Sequence, residues 1–354
     1  MTRLLTPHSP GLGATYADLE NQALSQQAGS SSTPGSLLVR SNAGGFRYYA
    51  LQQYGPDGRK RETYLAGPVG EPAAESEAEA ARLRIREHRD VIASARLLIR
   101  EGYCALSPKH HAAVAALGNH GFFAGGGMLV GTHAFEVIVN KLGVRTSAFG
   151  TTDVDFARSG KLAMKDVPDG GMLQILRSSG ITFDEVPNFD PRHPAVKFKE
   201  RGHSRFTVDL LVPAKGAEIS TAAVPELKAH ATALPHLRYL IAESQPAAAI
   251  SRNGCVAVRV PLPERFAIHK LLVARMRRGG DEKSRKDVRQ AAILLAALAD
   301  LYPGAIPEAF AKAPASTKGR IRQSLLEALP LLIDHPAARE AAQVLIGSRR
   351  AKPR

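Results

Sequence analysis

Two aspartates separated by a single valine stand in the stretch TTDVDFAR, residues 151–158. The stretch reads as a strand, in which residues i and i+2 point to the same side, so Asp153 and Asp155 are expected about 7 Å apart on one face. Carboxylates placed this way repel each other unless water or a shared cation lies between them. Because magnesium prefers oxygen ligands, the pattern fits either a solvated strand end or a site for Mg²⁺, with Mn²⁺ as a substitute.

A third carboxylate, Asp209, stands inside an apolar run that ends a predicted hairpin over residues 195–213. Strand alternation places Asp209 on the face opposite to Val208 and Leu210. Alone, Asp209 is equally well explained as an acid exposed at a sheet edge. Together with the aspartate pair it makes three carboxylates on strands of one predicted α/β unit.

A turn made of small residues precedes the pair. An apolar run ends in Gly131-Thr132, and a helix is predicted from about His133 to Leu142. A turn of Gly and Thr lets a phosphate approach the backbone, and the unpaired N–H groups of the following helix point at that phosphate. The stretch fits neither GxxxxGK[ST] nor GxGxxG. Strand-to-helix junctions in general favour small residues, and His133 either contacts a phosphate or only caps the turn.

A cation for a phosphate group is offered by a predicted helix over residues 263–278. At 100° per residue Lys270 and Arg277 lie within about 20° of each other, and Lys270 is a charge on a largely apolar stripe. The alternative for Lys270 is a stem that snorkels to water. Arg277 lies about 10 Å farther along the helix. Asp287, four residues after Lys283, is expected to form an ion pair or a helix contact.

These residues resemble a known group of enzymes. Gly131-Thr132, Asp153-x-Asp155 and Asp209 on a later strand are similar to the active-site signature of the DNA polymerase β-like nucleotidyltransferase superfamily. Within it, MLVGTHAF, TTDVDFA and KLLVARMRRGGDEKSRKDVRQA most resemble a bacterial family with this fold and no assigned substrate. The resemblance covers roughly residues 100–300. It implies an α/β (α+β) fold with a mixed sheet in a polymerase β-like core.

The resemblance also implies a reaction, the transfer of a nucleoside monophosphate from an NTP to an acceptor with release of pyrophosphate. It implies that Asp153, Asp155 and Asp209 are the catalytic and metal-binding residues. The residues implied to bind the NTP are Gly131, Thr132, His133, Lys270 and Arg277. Related enzymes modify tRNA ends, proteins or small molecules, and some are toxins of toxin–antitoxin pairs. RNA and a cognate antitoxin are therefore candidate partners.

Two other functions stay open at this point. One is a glycosyltransferase, because an Asp-x-Asp pair also binds the metal of nucleotide sugars, although this explains neither Asp209 nor the Gly131-Thr132 turn. The other is a catalytically inactive module that binds nucleic acid or protein through a basic face.

The charge distribution favours a polyanionic partner. The chain of 354 residues has 47 Lys and Arg against 33 Asp and Glu, a net charge of +14. Residues 265–354 hold 18 basic and 8 acidic side chains. The alternative is a solvated basic surface with no particular ligand.

Cysteine usage and hydropathy predict a cytoplasmic protein without a membrane partner. Cys104 and Cys255 stand far apart and fit no metal-ligand spacing, which favours a reducing compartment. The first residues lack the apolar core of a signal peptide, and no run of about 18 apolar residues is present.

Composition predicts five segments along the chain. They are a flexible N-terminal segment (1–36), a hairpin plus a long helix (37–118), the nucleotidyltransferase core (119–260), a C-terminal helical domain (261–346) and a basic tail (347–354). The hairpin is predicted around a turn at residues 55–58, and the long helix over 71–100. Helices of the fourth segment are predicted near 263–278, 282–299 and 318–333.

Overall fold

The structure is a computed structural model that describes residues 3–25, 34–55, 59–147, 149–164, 167–188, 190, 194–277 and 282–347. The α-helices within these ranges are α1 (Pro10–Ser25), α2 (Pro72–Arg100), α3 (Pro108–Asn119), α4 (Gly131–Lys141), α5 (Gly171–Arg177), α6 (Leu237–Leu240), α7 (Pro263–Met276), α8 (Glu282–Leu301), α9 (Ala305–Lys312), α10 (Lys318–Ala328) and α11 (Pro336–Gly347). The strands are β1 (Thr6–Pro7), β2 (Ser36–Ser41), β3 (Arg47–Tyr54), β4 (Lys60–Ala66), β5 (Gly127–Val130), β6 (Val144–Arg145), β7 (Asp153–Arg158), β8 (Phe183–Glu185), β9 (Lys197–Glu200), β10 (Thr207–Pro213), β11 (Ser220–Val224), β12 (Ala229–Leu234), β13 (Ser244–Ser251) and β14 (Gly254–Pro261).

A mixed sheet forms the centre of the molecule. Its main path runs β11-β12-β10-β7-β5, and β9 joins it through the first half of β10 and carries β8 on its other side. Strand β10 is parallel to both β7 and β12, whereas β5 is antiparallel to β7. This confirms the predicted α/β class with a mixed sheet.

The register of β7 and β10 decides where the acids lie. Thr207 is opposite Asp153, and Asp209 is opposite Asp155. Directly paired residues on neighbouring strands share a face, so all three carboxylates project from the same side of the sheet. The other side belongs to the main apolar core, where the alternate side chains are fully buried: Val154, Phe156, Val208 and Leu210. Burial of this apolar face fixes the register, because a slip by one residue would exchange the two faces.

A separate three-stranded antiparallel sheet, β2-β3-β4, lies against helix α2. The pairing of β3 with β4 confirms the predicted hairpin, and α2 confirms the predicted long helix. Strand β2 was not predicted. The turn residues 56–58 lie outside the described residues. Helix α2 continues past this sheet onto the β13-β14 hairpin and so joins the two parts.

The N-terminal segment differs from the flexible stretch predicted for residues 1–36. Helix α1 occupies Pro10–Ser25. It packs on β13, where the hydroxyl of Tyr16 donates to the carbonyl of Ala248 at 2.8 Å and Leu19 is buried. The polar composition of this segment is compatible with a helix because only a narrow stripe of α1 is apolar and buried. Residues 26–33 lie outside the described residues.

The C-terminal part is helical, in agreement with the three helices predicted there. Helices α7 and α8 pack against each other, and α10 packs on both. Helices α9 and α11 were not predicted, because each is short and begins close to a proline or glycine. The boundaries proposed at residues 36, 118, 260 and 346 stay predictions, and residues 348–354 of the tail lie outside the described ranges. Among the described helices, none has the length and apolar composition to cross a membrane.

A buried histidine makes stability depend on pH. His111 on α3 is 1% exposed, and burial lowers its pKa to about 4. The unfolded chain takes up this proton near pH 6.5, so the free energy of unfolding falls as pH drops from about 6.5 to about 4. We expect a loss of about 2 kcal/mol between pH 7 and pH 5 from this group. Urea denaturation at both pH values measures it.

The matched variants are His111→Gln, which removes the titrating group, and His203→Gln at an exposed histidine. We expect the pH dependence to become shallower in the first variant. An unchanged slope in His111→Gln would show that His111 is not the source.

Candidate functional site

Three carboxylates lie at one end of β7 and β10, on the face away from the apolar core. Asp155 and Asp209 are direct neighbours across the parallel pair, and Asp153 is two residues before Asp155. The sequence predicted that these acids are brought together, and the structure places all three on the same face.

Asp153 is held by hydroxyl groups. The hydroxyl of Thr207 donates to Asp153 Oδ1 at 2.7 Å, and that of Thr152 donates to the same oxygen at 3.3 Å. Thr207 comes from β10, so the bond crosses between the strands that carry the acids. Asp153 therefore has a fixed orientation, with Oδ2 as its other acceptor atom.

Asp209 has a lysine as its partner. Lys197 is opposite Asp209 in the antiparallel β9-β10 pair, and its ammonium lies 3.0 Å from Asp209 Oδ2. Burial raises the pKa of Asp209, and Lys197 opposes that shift. Lys197 was not predicted as a site residue. The hairpin register that places Lys197 opposite Asp209 depends on the length of the turn, and the structure supplies it by pairing Thr207 with Lys199.

Asp155 lies deepest and touches the start of α4. Burial, followed by the negative charges of Asp209 and Asp153, raises the pKa of Asp155 to about 6, against the opposing charges of Lys270 and His133. A side chain on Gly131 would overlap Asp155 Oδ2, and Gly131 has a φ of +68°. Only glycine combines this backbone conformation with such a close carboxylate. The first residue of α4 is thus fixed against the central acid.

A buried pair on α4 lies beside the acids. His133 Nδ1 and Glu136 Oε2 are 2.8 Å apart, while His133 Nε2 is buried without a hydrogen-bond partner. The ring of His110 lies 4.6 Å from that of His133, between centroids. Burial, and then the charge of His133, lowers the pKa of His110 to about 4. The glutamate therefore orients the imidazole of His133, which leaves Nε2 as the atom for a further partner.

Two cations of the C-terminal helices share one buried carboxylate. Lys270 Nζ donates to Asp287 Oδ1 at 2.7 Å, and Arg277 Nε donates to Asp287 Oδ2 at 2.8 Å. The side chain of Asp287 is 3% exposed. Lys270 is also close enough to lower the pKa of Asp155, so it belongs to the site, whereas Arg277 lies on the other side of the Asp287 carboxylate. Asp287 is the ion-pair residue that the sequence predicted, with Lys270 and Arg277 as partners.

The donor atoms suit a hard divalent cation, since carboxylate and hydroxyl oxygens are the preferred ligands of magnesium. Burial raises the pKa of Asp155 most, and the nearby charges of Asp209 and Asp153 raise it further, a cost that such an ion would offset. Within the described residues, no three His, Cys, Asp or Glu side chains are grouped closely enough to enclose a metal ion. The predicted three-carboxylate cage is therefore not preformed, and Lys197 holds one oxygen of Asp209.

A comparison with protein families shows which family the chain belongs to. A family model described as nucleotidyltransferase matches residues 108–314, which is more than half of the chain and includes every acid discussed above. The chain belongs to this nucleotidyltransferase family. Comparisons with curated proteins and with solved structures gave no match.

In this nucleotidyltransferase, a second lysine reaches the site from α8. Lys286 Nζ donates to the carbonyl of Gly150 at 3.1 Å, three residues before Asp153. Burial, and then the charge of Lys270, lowers the pKa of Lys286. The sequence contained no signal for Lys286, because only the packing of α8 against the segment before β7 brings it here. Lys270 and Lys286 thus add positive charge beside the acids.

Gly131→Ala tests the contact between α4 and Asp155. The added methyl group meets Asp155 Oδ2, and φ stays in the left-handed region, so we expect a loss of about 2 kcal/mol in stability. Thermal melting measures the change. Gly143→Ala is the matched control, since Gly143 also has a positive φ but open space around its Cβ position. Equal losses in both variants would contradict a steric role for Asp155.

Proposed function

We propose that this nucleotidyltransferase transfers a nucleoside monophosphate from an NTP to an acceptor, with RNA as the candidate acceptor, in a reaction that depends on a divalent cation. The family match supports nucleotidyl transfer in general. The observation that carries the finer proposal is the pairing of Asp155 with Asp209 on adjacent parallel strands, beside the glycine that begins α4.

Asp153, Asp155 and Asp209 would hold the divalent cation. When bound, such an ion supplies Lewis-acid stabilisation of charge on phosphate oxygens and lowers the pKa of a coordinated hydroxyl. The position of Asp155 supports this assignment, because burial and then the charges of Asp209 and Asp153 raise its pKa, and Lys270 and His133 only partly oppose that shift.

The N-terminus of α4 is suited to the triphosphate. Val130 occupies the N-cap position of α4 and provides no side-chain hydrogen bond to the helix. The N–H groups of the first turn are then directed at an anion, and the helix dipole favours negative charge there. We assign Gly131 and Thr132 to the triphosphate, and His133 to it through Nε2. Lys270 adds a positive charge close enough to Asp155 to lower its pKa.

The proposed reaction forms one P–O bond at the α-phosphorus and breaks another. An acceptor oxygen attacks the α-phosphorus, a new P–O bond forms, and the bond between the α-phosphorus and the bridging oxygen breaks. Pyrophosphate leaves with the bonding electrons, and the acceptor proton passes to solvent. In this chain the acids orient the reacting groups, while Lys270 and Lys286 offset the charge that develops on pyrophosphate.

An incorporation assay tests the proposal. The protein is incubated with total cellular RNA, magnesium and each α-labelled NTP in turn, and the labelled products are separated by size. We expect label in RNA with the wild type and none with Asp153→Ala or Asp155→Ala. Equal labelling by these variants would overturn the assignment of the acids.

Binding of magnesium gives a test that does not depend on activity. We expect millimolar Mg²⁺ to raise the melting temperature of the wild type, since an ion that binds only the folded chain stabilises it by mass action. The shift should be absent in a variant that combines Asp155→Asn with Asp209→Asn. A shift of equal size in both proteins would contradict a metal site at these residues.

The other functions considered from the sequence have less support. The family match favours nucleotidyl transfer over a glycosyltransferase, because it covers the acids together with the Gly131-Thr132 turn. A catalytically inactive module remains the outcome if no label is incorporated. A cognate antitoxin stays a prediction.

A further inference from the structure

One face of the β2-β3-β4 sheet carries a row of aromatic side chains. Phe46 and Tyr48 stack with ring centroids 6.2 Å apart, and Tyr48 and Tyr64 follow at 5.4 Å. The first pair is stacked, with an interplanar angle of 25°, and the second is tilted, with an angle of 36°. The row crosses from the start of β3 to the adjacent strand β4.

This face is the outer one. Helix α2 covers the inner face, where Tyr49 is buried with Ala74 and Ala78. Side chains alternate along β3, so Tyr48 points away from α2. Phe46 is 40% exposed and Tyr64 is 61% exposed. A sheet with one covered face normally presents polar residues to water on the other, so a contiguous aromatic row marks a binding surface.

The charge of the sheet indicates the kind of partner. Residues 36–66 contain five Arg and Lys against two Asp and Glu. Arg40 is opposite Tyr48 in the β2-β3 pair, on the outer face, and its guanidinium is held by Glu62 at 2.8 and 2.9 Å. Lys60 is exposed at the start of β4, opposite Tyr54. Flat rings flanked by cations suit a chain of aromatic bases joined by phosphates.

We propose that the outer face of the β2-β3-β4 sheet binds single-stranded RNA. Bases stack on Phe46, Tyr48 and Tyr64, while Arg40 and Lys60 contact phosphates. This inference rests on the proposed function and deepens it, because it names single-stranded RNA as the acceptor class. The sheet precedes the family-matched region, residues 108–314, so this surface is an addition to the nucleotidyltransferase part of the chain.

The test is fluorescence anisotropy with the full chain and a labelled, unstructured 12-nucleotide RNA, without NTP. We expect Tyr64→Ala to weaken binding roughly tenfold, and Phe46→Ala combined with Tyr64→Ala roughly a hundredfold. Tyr64→Phe keeps the ring and should bind like the wild type. Tyr302→Ala is the matched control, since Tyr302 is 58% exposed on the C-terminal part of the chain.

Several outcomes would overturn the inference. One is that both alanine variants bind RNA with the affinity of the wild type while their melting temperatures show that they are folded. Another is equal competition by inorganic polyphosphate, which would assign binding to charge alone. A third is a change of oligomeric state in Tyr64→Ala, which would make the face a contact between copies of the chain.

The assay also separates this inference from the proposed function. If no acceptor takes up label but Tyr64→Ala loses RNA affinity, the binding surface stands and the reaction does not. If incorporation proceeds and both alanine variants bind RNA normally, the reaction stands and this surface does not.

Discussion

Asp155→Asn is expected to reduce nucleotidyl transfer at least 1000-fold, about 4 kcal/mol in the transition state. Asp155 is paired with Asp209, stands two residues after Asp153 and lies against the start of α4. Its carboxylate is therefore next to both the other acids and the proposed triphosphate site. Asparagine keeps the shape and loses the charge. The rate of label incorporation at saturating NTP measures the effect.

The control for this variant is Asp169→Asn, at an exposed acid within the family-matched region. We expect full activity there. Activity of Asp155→Asn within tenfold of the wild type would exclude a central role for this carboxylate.

Stability should move in the direction opposite to activity. Burial and the nearby carboxylates raise the pKa of Asp155 in the folded chain to about 6, so keeping this carboxylate charged at pH 7 costs about 3 kcal/mol of folding free energy. That cost appears as pH rises from about 4 to about 6. We therefore expect Asp155→Asn to be the more stable protein at pH 7, with this pH-dependent component removed. A less stable variant would indicate a structural role for Asp155.

Asp287→Ala has the largest expected effect on stability, a loss of about 4 kcal/mol. Asp287 is 3% exposed in its side chain and binds both Lys270 and Arg277. Removing it leaves the partly buried ammonium of Lys270 without its carboxylate, and the ion pair between α7 and α8 is lost. Urea denaturation followed by far-UV circular dichroism measures the loss.

Asp300→Ala, at an exposed acid on the same helix, is the matched control and should change stability by less than about 0.5 kcal/mol. Lys270→Met separates the contribution of Lys270 to stability from its proposed contribution to NTP binding. We expect a smaller loss of stability with a roughly tenfold higher KM for NTP, since one phosphate contact is removed. If Asp287→Ala melts like the wild type, this ion-pair cluster does not stabilise the helices.

The arrangement of the acids could be predicted because short-range rules determine most of it. Alternation along one strand puts Asp153 and Asp155 on a common face, and the apolar residues around Asp209 put it on the polar face of its own strand. What alternation does not decide is that β7 and β10 are neighbours. That information came from the resemblance to a known fold, and the pairing of Asp155 with Asp209 agrees with it.

Other parts of the site depend on contacts that no local pattern encodes. Lys286 reaches the carbonyl of Gly150 across 136 positions of the chain, through the packing of separate elements. Asp287 was expected beside Lys283 from helix spacing, but the cations that it binds are Lys270 on α7 and Arg277 directly after that helix. Strand β2 was missed because the polar residues before it resemble a linker. In each case tertiary packing determined the outcome.

The ammonium of Lys197 has a consequence for how the acids behave in the ion-free protein. It acts as a counterion on an oxygen of Asp209. A divalent cation bound as proposed would compete with Lys197 for that oxygen. We expect replacement of Lys197 by methionine to increase the affinity for the divalent ion and to make the ion-free protein less stable. The native lysine would thus stabilise the ion-free protein at the cost of weaker ion binding.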